Sequence, residues 1–281
     1  MSTPIRRELR AAVEFSALLR SPTFRSPPSA PENGLPVLLI TGVYANDATM
    51  RPLAVWLRRM GYSPQRAGLR FNADCSEAEM GRLAVRLERA VERAGRPAAI
   101  VGWSRGGLFA RALAVRHPDL VSGIVTLGSP LLNPLGYVHP FLHLALEATS
   151  TLGDRGVPGL LSHSCADEWA LDGATDSNRL SRALIARTRR LLADGERCCE
   201  RFWREVRAPF PKDVSFVSVY SKSDAIVNWL ACLDPYARHV EVDASHCGMG
   251  VSVHVYRVLI AELERIVEAQ RTARGEQALA A

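Results

Sequence analysis

Apolar positions recur along the chain in two rhythms, short continuous runs and helical i, i+3, i+4, i+7 stripes, and the two alternate. Val37–Thr41 is a buried strand by its pattern. The helix after it carries Leu53, Trp56, Leu57 and Met60 on one face and stops at Gly61. A short strand is expected near 63–69. Ser76 and Glu79 then have the spacing of a capping box, ahead of a helix that repeats Met80, Leu83, Ala84, Leu87 and Val91 as far as Gly95. Ala98–Trp103, Gly106–Arg116 and Val121–Leu127 continue as strand, helix, strand. After an interruption the rhythm resumes with strands at 214–220 and 239–242 and a closing helix over about 252–270. Continuous apolar strands separated by amphipathic helices predict an α/β protein, with a mostly parallel sheet covered on both faces.

Two regions depart from that rhythm. Residues 4–20 read as an amphipathic helix with Ile5, Leu9, Ala12, Val13 and Leu19 on its apolar side. That side is expected to pack on the body or over the active site, with a membrane surface as the less favoured use. The proline- and serine-rich stretch 21–36 reads as a linker. Residues 131–211 hold helical stretches at about 139–149, 178–193 and 195–206 and no convincing buried strand. An insertion there lies over the carboxyl edge of the sheet, where such folds bind ligands. The expected organisation is an N-terminal helix and linker (1–35), a core (36–130 and 212–281) and a helical cap (131–211).

Between Ala98–Trp103 and the next helix stands Gly102-Trp103-Ser104-Arg105-Gly106, a G-x-S-x-G in a strand–turn–helix context. Flanking glycines permit the tight turn that lifts a serine hydroxyl above the sheet, and the helix N-terminus behind it offers N–H groups to a developing oxyanion. The bland use of such a serine is to cap the helix. A serine needs a base, and in this architecture the acid and the histidine follow it in the chain. Of seven histidines, His246 alone stands in a loop between the last strand and the last helix. Asp224, just past the strand at 214–220, is the favoured acid; Asp234 is the reserve, and Asp243 sits at the end of the last strand. Gly42 and Val43 follow the first strand. The N–H groups of Val43 and Arg105 are therefore the expected oxyanion donors, with Tyr44 a candidate for closing over the acyl group.

At these segments (PVLLITGVYAND, AAIVGWSRGGLFARALAVRHPDLVSGIVTLGSP, SVYSKSDAIVNW and EVDASHCGM) the chain resembles bacterial α/β-hydrolases of the lipase and esterase superfamily. The resemblance implies the α/β-hydrolase fold and acyl-ester hydrolysis, with no metal or organic cofactor. Many lipases have His-Gly where this chain has Thr41-Gly42, so only Gly42 and the backbone role of Val43 carry over. The expected substrate is a small-molecule or lipid ester. Its acyl pocket is drawn from the insertion, at Leu142, Leu160, Leu161 and Trp169, with Gly42, Tyr44 and Trp103 as further substrate contacts. Acyl transfer or thioester hydrolysis by the same residues is the rival within catalysis. A non-catalytic binding protein is the rival outside it, disfavoured because all three catalytic positions are filled.

Composition narrows the picture a little further. The net charge of +6 comes from dispersed arginines, without a basic stripe interleaved with aromatics, which argues against a nucleic-acid partner. Neither an apolar secretory segment nor a membrane-spanning run is present, which favours a cytoplasmic location. Transient contact with a membrane surface remains compatible with the charge. The six cysteines (75, 165, 198, 199, 232 and 247) include no C-x-x-C pair, so free and mostly buried thiols are expected, and a zinc site is not. A disulfide between Cys232 and Cys247, holding the acid and histidine loops in register, is weighed against two buried thiols.

Overall fold

The computed structural model describes residues 5–28, 34–172, 179–193 and 197–280. In chain order, a 3-10 turn at Ile5–Leu9 runs into α1 (Arg10–Arg20) and the single-turn α2 (Pro22–Arg25). Then come β1 (Pro36–Ile40), α3 (Arg51–Arg59), β2 (Ser63–Arg66), α4 (Ser76–Ala94), β3 (Ala98–Trp103), α5 (Arg105–Arg116) and β4 (Val121–Leu127). The interrupting region holds α6 (Pro140–Asp154), α7 (Arg179–Ala193) and α8 (Glu200–Arg207). β5 (Ser215–Tyr220), β6 (Arg238–Glu241) and α9 (Val253–Ala280) complete the chain. Positions 178 and 194–196, where two of the expected helices meet their ends, lie outside the described residues, as do 29–33 of the expected linker.

The six strands form one parallel sheet in the order β2-β1-β3-β4-β5-β6. β1 and β3–β5 are apolar on both faces because helices cover both. On one face, Leu53, Trp56 and Leu57 of α3 pack with Tyr256, Leu259 and Leu263 of α9. On the other, Met80, Leu83 and Leu87 of α4 pack with Phe109 and Leu113 of α5. Phe202 and Trp203 of α8 join that second layer, with the Phe109 and Phe202 ring centroids 5.3 Å apart. The last helix of the interrupting region thus packs on the body of the protein. Each such side chain, fully withdrawn from water, contributes about 1.5–3 kcal/mol.

Three local expectations fail. The residue before α4 is Cys75, with no side-chain cap; Ser76 already lies in the helix and accepts from Arg105, while Glu79 pairs with Arg82. The stretch 21–36 is more than a linker, for the Thr23 carbonyl accepts from the Trp56 indole at 2.7 Å and Ser21 caps α2. The apolar stripe of the N-terminal helix points outward: Leu9 is 79% and Val13 68% exposed, whereas Leu18 is fully buried. Its inward side carries Glu8 and Glu14, which reach the loops around Asp224 and His246.

Candidate active site

Ser104 stands at the carboxyl end of β3, between strand and helix, with φ 53° and ψ −122°. A non-glycine residue with positive φ is strained by about 1–3 kcal/mol, and such strain concentrates at functional sites. The turn closes because its neighbours are glycines. A Cβ on Gly106 would lie 2.2 Å from the Ile40 carbonyl oxygen, and one on Gly102 would lie 2.4 Å from that of Gly106. Ser104 makes no cap hydrogen bond to α5, so its side chain is not spent on the helix.

Asp224 follows β5 and His246 follows β6, both at the same edge of the sheet. His246 Nδ1 and Asp224 Oδ2 are 2.7 Å apart, with both side chains buried. The other carboxylate oxygen, Oδ1, accepts from the N–H groups of Ile226 and Val227, each at 2.8 Å. The carboxylate is therefore held by backbone on one side and faces imidazole on the other. Burial pulls the His246 pKa down; the charge of Asp224, its hydrogen bond and the charge of Glu8 together outweigh it and leave the pKa above the ordinary value. Among the described residues no Ser104–His246 hydrogen bond is formed. Such contacts are often long in free enzymes and tighten around substrate. Between the two, Trp103 donates its indole N–H to the His246 carbonyl at 3.1 Å, with the rings 6.0 Å apart.

Asp234 is occupied elsewhere. Its Oδ2 accepts from Arg111 Nε at 2.6 Å, with both side chains 2% exposed, and its Oδ1 caps the turn at Tyr236. Asp243, exposed, pairs with Arg10 of α1. Neither is bonded to His246.

The N-terminal helix joins the loops that carry Asp224 and His246. One oxygen of Glu8 accepts the N–H of Ala225 at 2.9 Å, and the other accepts the N–H of Cys247 at 2.8 Å. A single carboxylate thus bridges the residue after Asp224 and the residue after His246. Glu14 does the same for Ser245, accepting from its N–H at 2.9 Å and its hydroxyl at 2.6 Å. Cys232 and Cys247 are free thiols, the first buried and the second exposed, so the considered disulfide is not formed and Glu8 fills its place. No local pattern announced this, since the partners lie more than 200 positions apart.

A cavity of about 120 Å³ opens beside Ser104, Arg105 and Val43. Its wall is mainly apolar, with Leu142, Leu146, Leu161 and Ile185 contributed by the segment between β4 and β5. His143, Glu147 and His163 add polar groups. His163 lies between Asp154 (2.5 Å) and Glu147 (3.1 Å), while burial first and His139 second push His143 down to about 4, so it is neutral near pH 7. Sequence reasoning missed these three; a helical insertion of mixed polarity does not announce which polar residues turn inward.

Gly42 borders the serine closely: a Cβ there would come 3.0 Å from Ser104 Cβ. The Arg105 N–H is a first-turn donor that α5 leaves without an intrahelical acceptor. The Arg105 side chain turns away to bind Asn72 Oδ1 (2.8 Å), the Asp74 carbonyl (2.7 Å) and Ser76 Oγ (3.0 Å). Of the remaining expected contacts, Leu142 and Leu161 line the cavity, whereas Leu160, Trp169, Tyr44 and Trp103 do not. The Tyr44 ring lies 5.7 Å from that of Phe71, and its hydroxyl bonds Thr149 of α6 at 2.9 Å, bracing that helix. Trp169 lies under Arg207, and Trp103 supports the His246 loop.

A parallel six-stranded sheet with its serine on a strained turn after β3, and the paired acid and histidine after β5 and β6, is an arrangement with known counterparts. The family model for the alpha/beta hydrolase fold matches residues 53–152. The chain has the α/β-hydrolase fold. Among solved structures it is similar to the propeptide form of the Bacillus licheniformis lipase BlEst2, at 14% identity and a TM-score of 0.55, over 84% of this chain and 52% of that one. It is also similar to a soluble variant of monoglyceride lipase from Saccharomyces cerevisiae, at 15% identity and a TM-score of 0.53, over 86% and 90% of the two chains. At such identities the likeness is one of fold. No curated protein matches the chain by sequence. No described helix of this α/β-hydrolase fold is long and apolar enough to cross a membrane.

Proposed function

We propose that the chain is a carboxylic-ester hydrolase of the esterase and lipase type, acting through an acyl-enzyme on Ser104. The observation that carries the reading is the buried 2.7 Å pairing of His246 with Asp224 at the sheet edge that also bears the strained Ser104 turn. His246, oriented by Asp224, takes the Ser104 proton as Oγ attacks the ester carbonyl, and the N–H groups of Val43 and Arg105 hold the oxyanion. His246 then protonates the leaving alcohol, and water attacks the acyl-enzyme by the same route. Asp224 stabilises the imidazolium that forms on His246.

Residues 131–211 serve as the cap over this edge, with α8 returned to the body, and the cavity they enclose takes the acyl group. Its aliphatic wall suits an unbranched acyl chain of medium length, and the neutral His143 offers a polar contact without a charge. The similarity in fold to a lipase and a monoglyceride lipase agrees with an ester substrate.

A series of p-nitrophenyl esters from acetate to palmitate tests the reading. Free acid released in equal amount to p-nitrophenol, with a maximum at intermediate chain length, is the expected result. Acyl products formed only when a second alcohol or thiol acceptor is added would reassign the chain to acyl transfer. Absence of turnover across the series would overturn ester hydrolysis.

A further inference from the structure

The six cysteines have no metal-binding spacing in sequence, yet the fold gathers four of them. Cys75 lies at the start of α4, Cys165 closes a 3-10 turn at His163–Cys165, and Cys198 and Cys199 immediately precede α8. Their four sulfurs all lie within 4.8 Å of one another. The contacts Cys165–Cys198, Cys75–Cys199, Cys198–Cys199 and Cys75–Cys198 measure 3.3, 3.4, 3.6 and 3.7 Å. A disulfide needs about 2.05 Å. Four thiolates around one zinc ion, each at about 2.3 Å in a tetrahedron, are separated by about 3.8 Å. The observed separations are close to that edge and far from the covalent one.

We infer that Cys75, Cys165, Cys198 and Cys199 form a structural zinc site that fastens the cap to the body of the hydrolase. The donor set is all sulfur and four-fold, with no fifth side chain in the cluster among the described residues, which is the composition of a closed structural site and not of a catalytic one. Groups that support thiolate surround it. The Ser162 N–H approaches Cys165 Sγ at 3.4 Å, and the Ser164 hydroxyl approaches Cys198 Sγ at 3.5 Å. The Arg105 guanidinium binds on both sides of Cys75, through the Asp74 carbonyl and Ser76 Oγ. Its positive charge offsets part of the double negative charge that a zinc tetrathiolate carries. On binding, four thiols release four protons to solvent and no electron moves.

The placement gives the site a purpose. Cys165 lines the cavity beside Ser104, and Cys75 belongs to the loop that Arg105 braces. One ion therefore ties two segments of the cap, the turn at 163–165 and the lead into α8, to the loop before α4. It fixes one wall of the acyl pocket and takes no part in the chemistry.

The test is the metal content of full-length protein purified without a histidine tag or chelator. Elemental analysis should find one zinc per chain, and X-ray absorption should show a sulfur-only shell at about 2.3 Å. Cys75→Ser and Cys198→Ser should lose the zinc and melt at lower temperature, whereas Cys247→Ser should keep it. If those variants fail to fold, titrating wild-type protein with a mercurial thiol reagent in the presence of a zinc-sensing dye should release one zinc per chain. A folded, metal-free protein whose four thiols all alkylate would overturn the site. So would a disulfide among the four in non-reducing peptide maps, and iron in place of zinc would overturn the metal assignment.

Discussion

The sheet and the N-terminal helix are held by different kinds of force. Around the sheet, Trp56, Leu57, Phe109, Phe202 and Tyr256 fill two apolar layers, where many interchangeable contacts share the stabilisation. The N-terminal helix buries Leu18 in its α segment and turns Leu9 and Val13 to solvent. What fastens its inward side is polar: Glu8 to Ala225 and Cys247, Glu14 to Ser245, and Arg10 to Asp243. A layer of that first kind tolerates conservative exchange, while the contacts of the second kind rest on single carboxylates and a guanidinium and are lost with them. The comparison predicts that core substitutions act on stability, whereas Glu8 and its neighbours act on the alignment of Asp224 with His246.

Substitutions rank accordingly. Ser104→Ala should cost on the order of 10⁶ in kcat for ester hydrolysis while the protein stays folded, because the side chain makes no structural hydrogen bond. Asp224→Asn should cost about 10⁴ in kcat by disturbing the imidazole tautomer. Asp234→Asn should act oppositely. It leaves Arg111 buried without its carboxylate and should destabilise the fold by about 3–5 kcal/mol in urea unfolding, with near-normal turnover from the molecules that remain folded. A larger kcat loss from Asp234→Asn than from Asp224→Asn would exchange their roles.

Glu8→Gln comes next. Hydrogen bonds to a charged acceptor are worth about 1.5–3 kcal/mol, and the amide presents an N–H₂ to one of the two backbone donors, so kcat should fall about tenfold. The pH profile separates this from a merely structural effect. Catalysis needs neutral His246, whose pKa is raised, so kcat/KM should fall as pH drops through a midpoint above the free-histidine value of about 6.5. Removing the Glu8 charge favours the neutral imidazole and should move that midpoint to lower pH. An unchanged midpoint would confine Glu8 to holding the loops. Smallest of all, Leu9→Gln should change stability by less than about 0.5 kcal/mol, because the side chain is already in water.

The same contrast explains what was legible in the sequence. Strands β1 and β3–β5, the helices α3–α5 and the Ser104 turn followed from periodicity and glycine placement, since each depends on neighbours within a few positions. The sequence singles out His246 by its place between strand and helix and Asp224 by its place after β5, and the structure brings the two within 2.7 Å. The N-terminal helix at 5–20 inverts the expected pattern, because its apolar positions are outward and its glutamates are the packed side. Hydrophobic period has no means of registering that inversion. Leu160 and Trp169 are assigned to the acyl pocket from chemical type alone, and only the folded insertion determines which of its residues turn to the cavity. The sequence argues against a zinc site at the cysteines for a related reason. A metal motif is recognised by short spacing, and here three separate chain segments converge on one point.

The central claim is that Ser104 is a nucleophile activated at this sheet edge. Treating the native protein with a fluorophosphonate and mapping the adduct by mass spectrometry addresses it most directly. The account predicts one adduct, on the peptide containing Ser104, lost in Ser104→Ala and slowed in Asp224→Asn. An adduct on a different serine, or no reaction in protein shown to be folded, would contradict it.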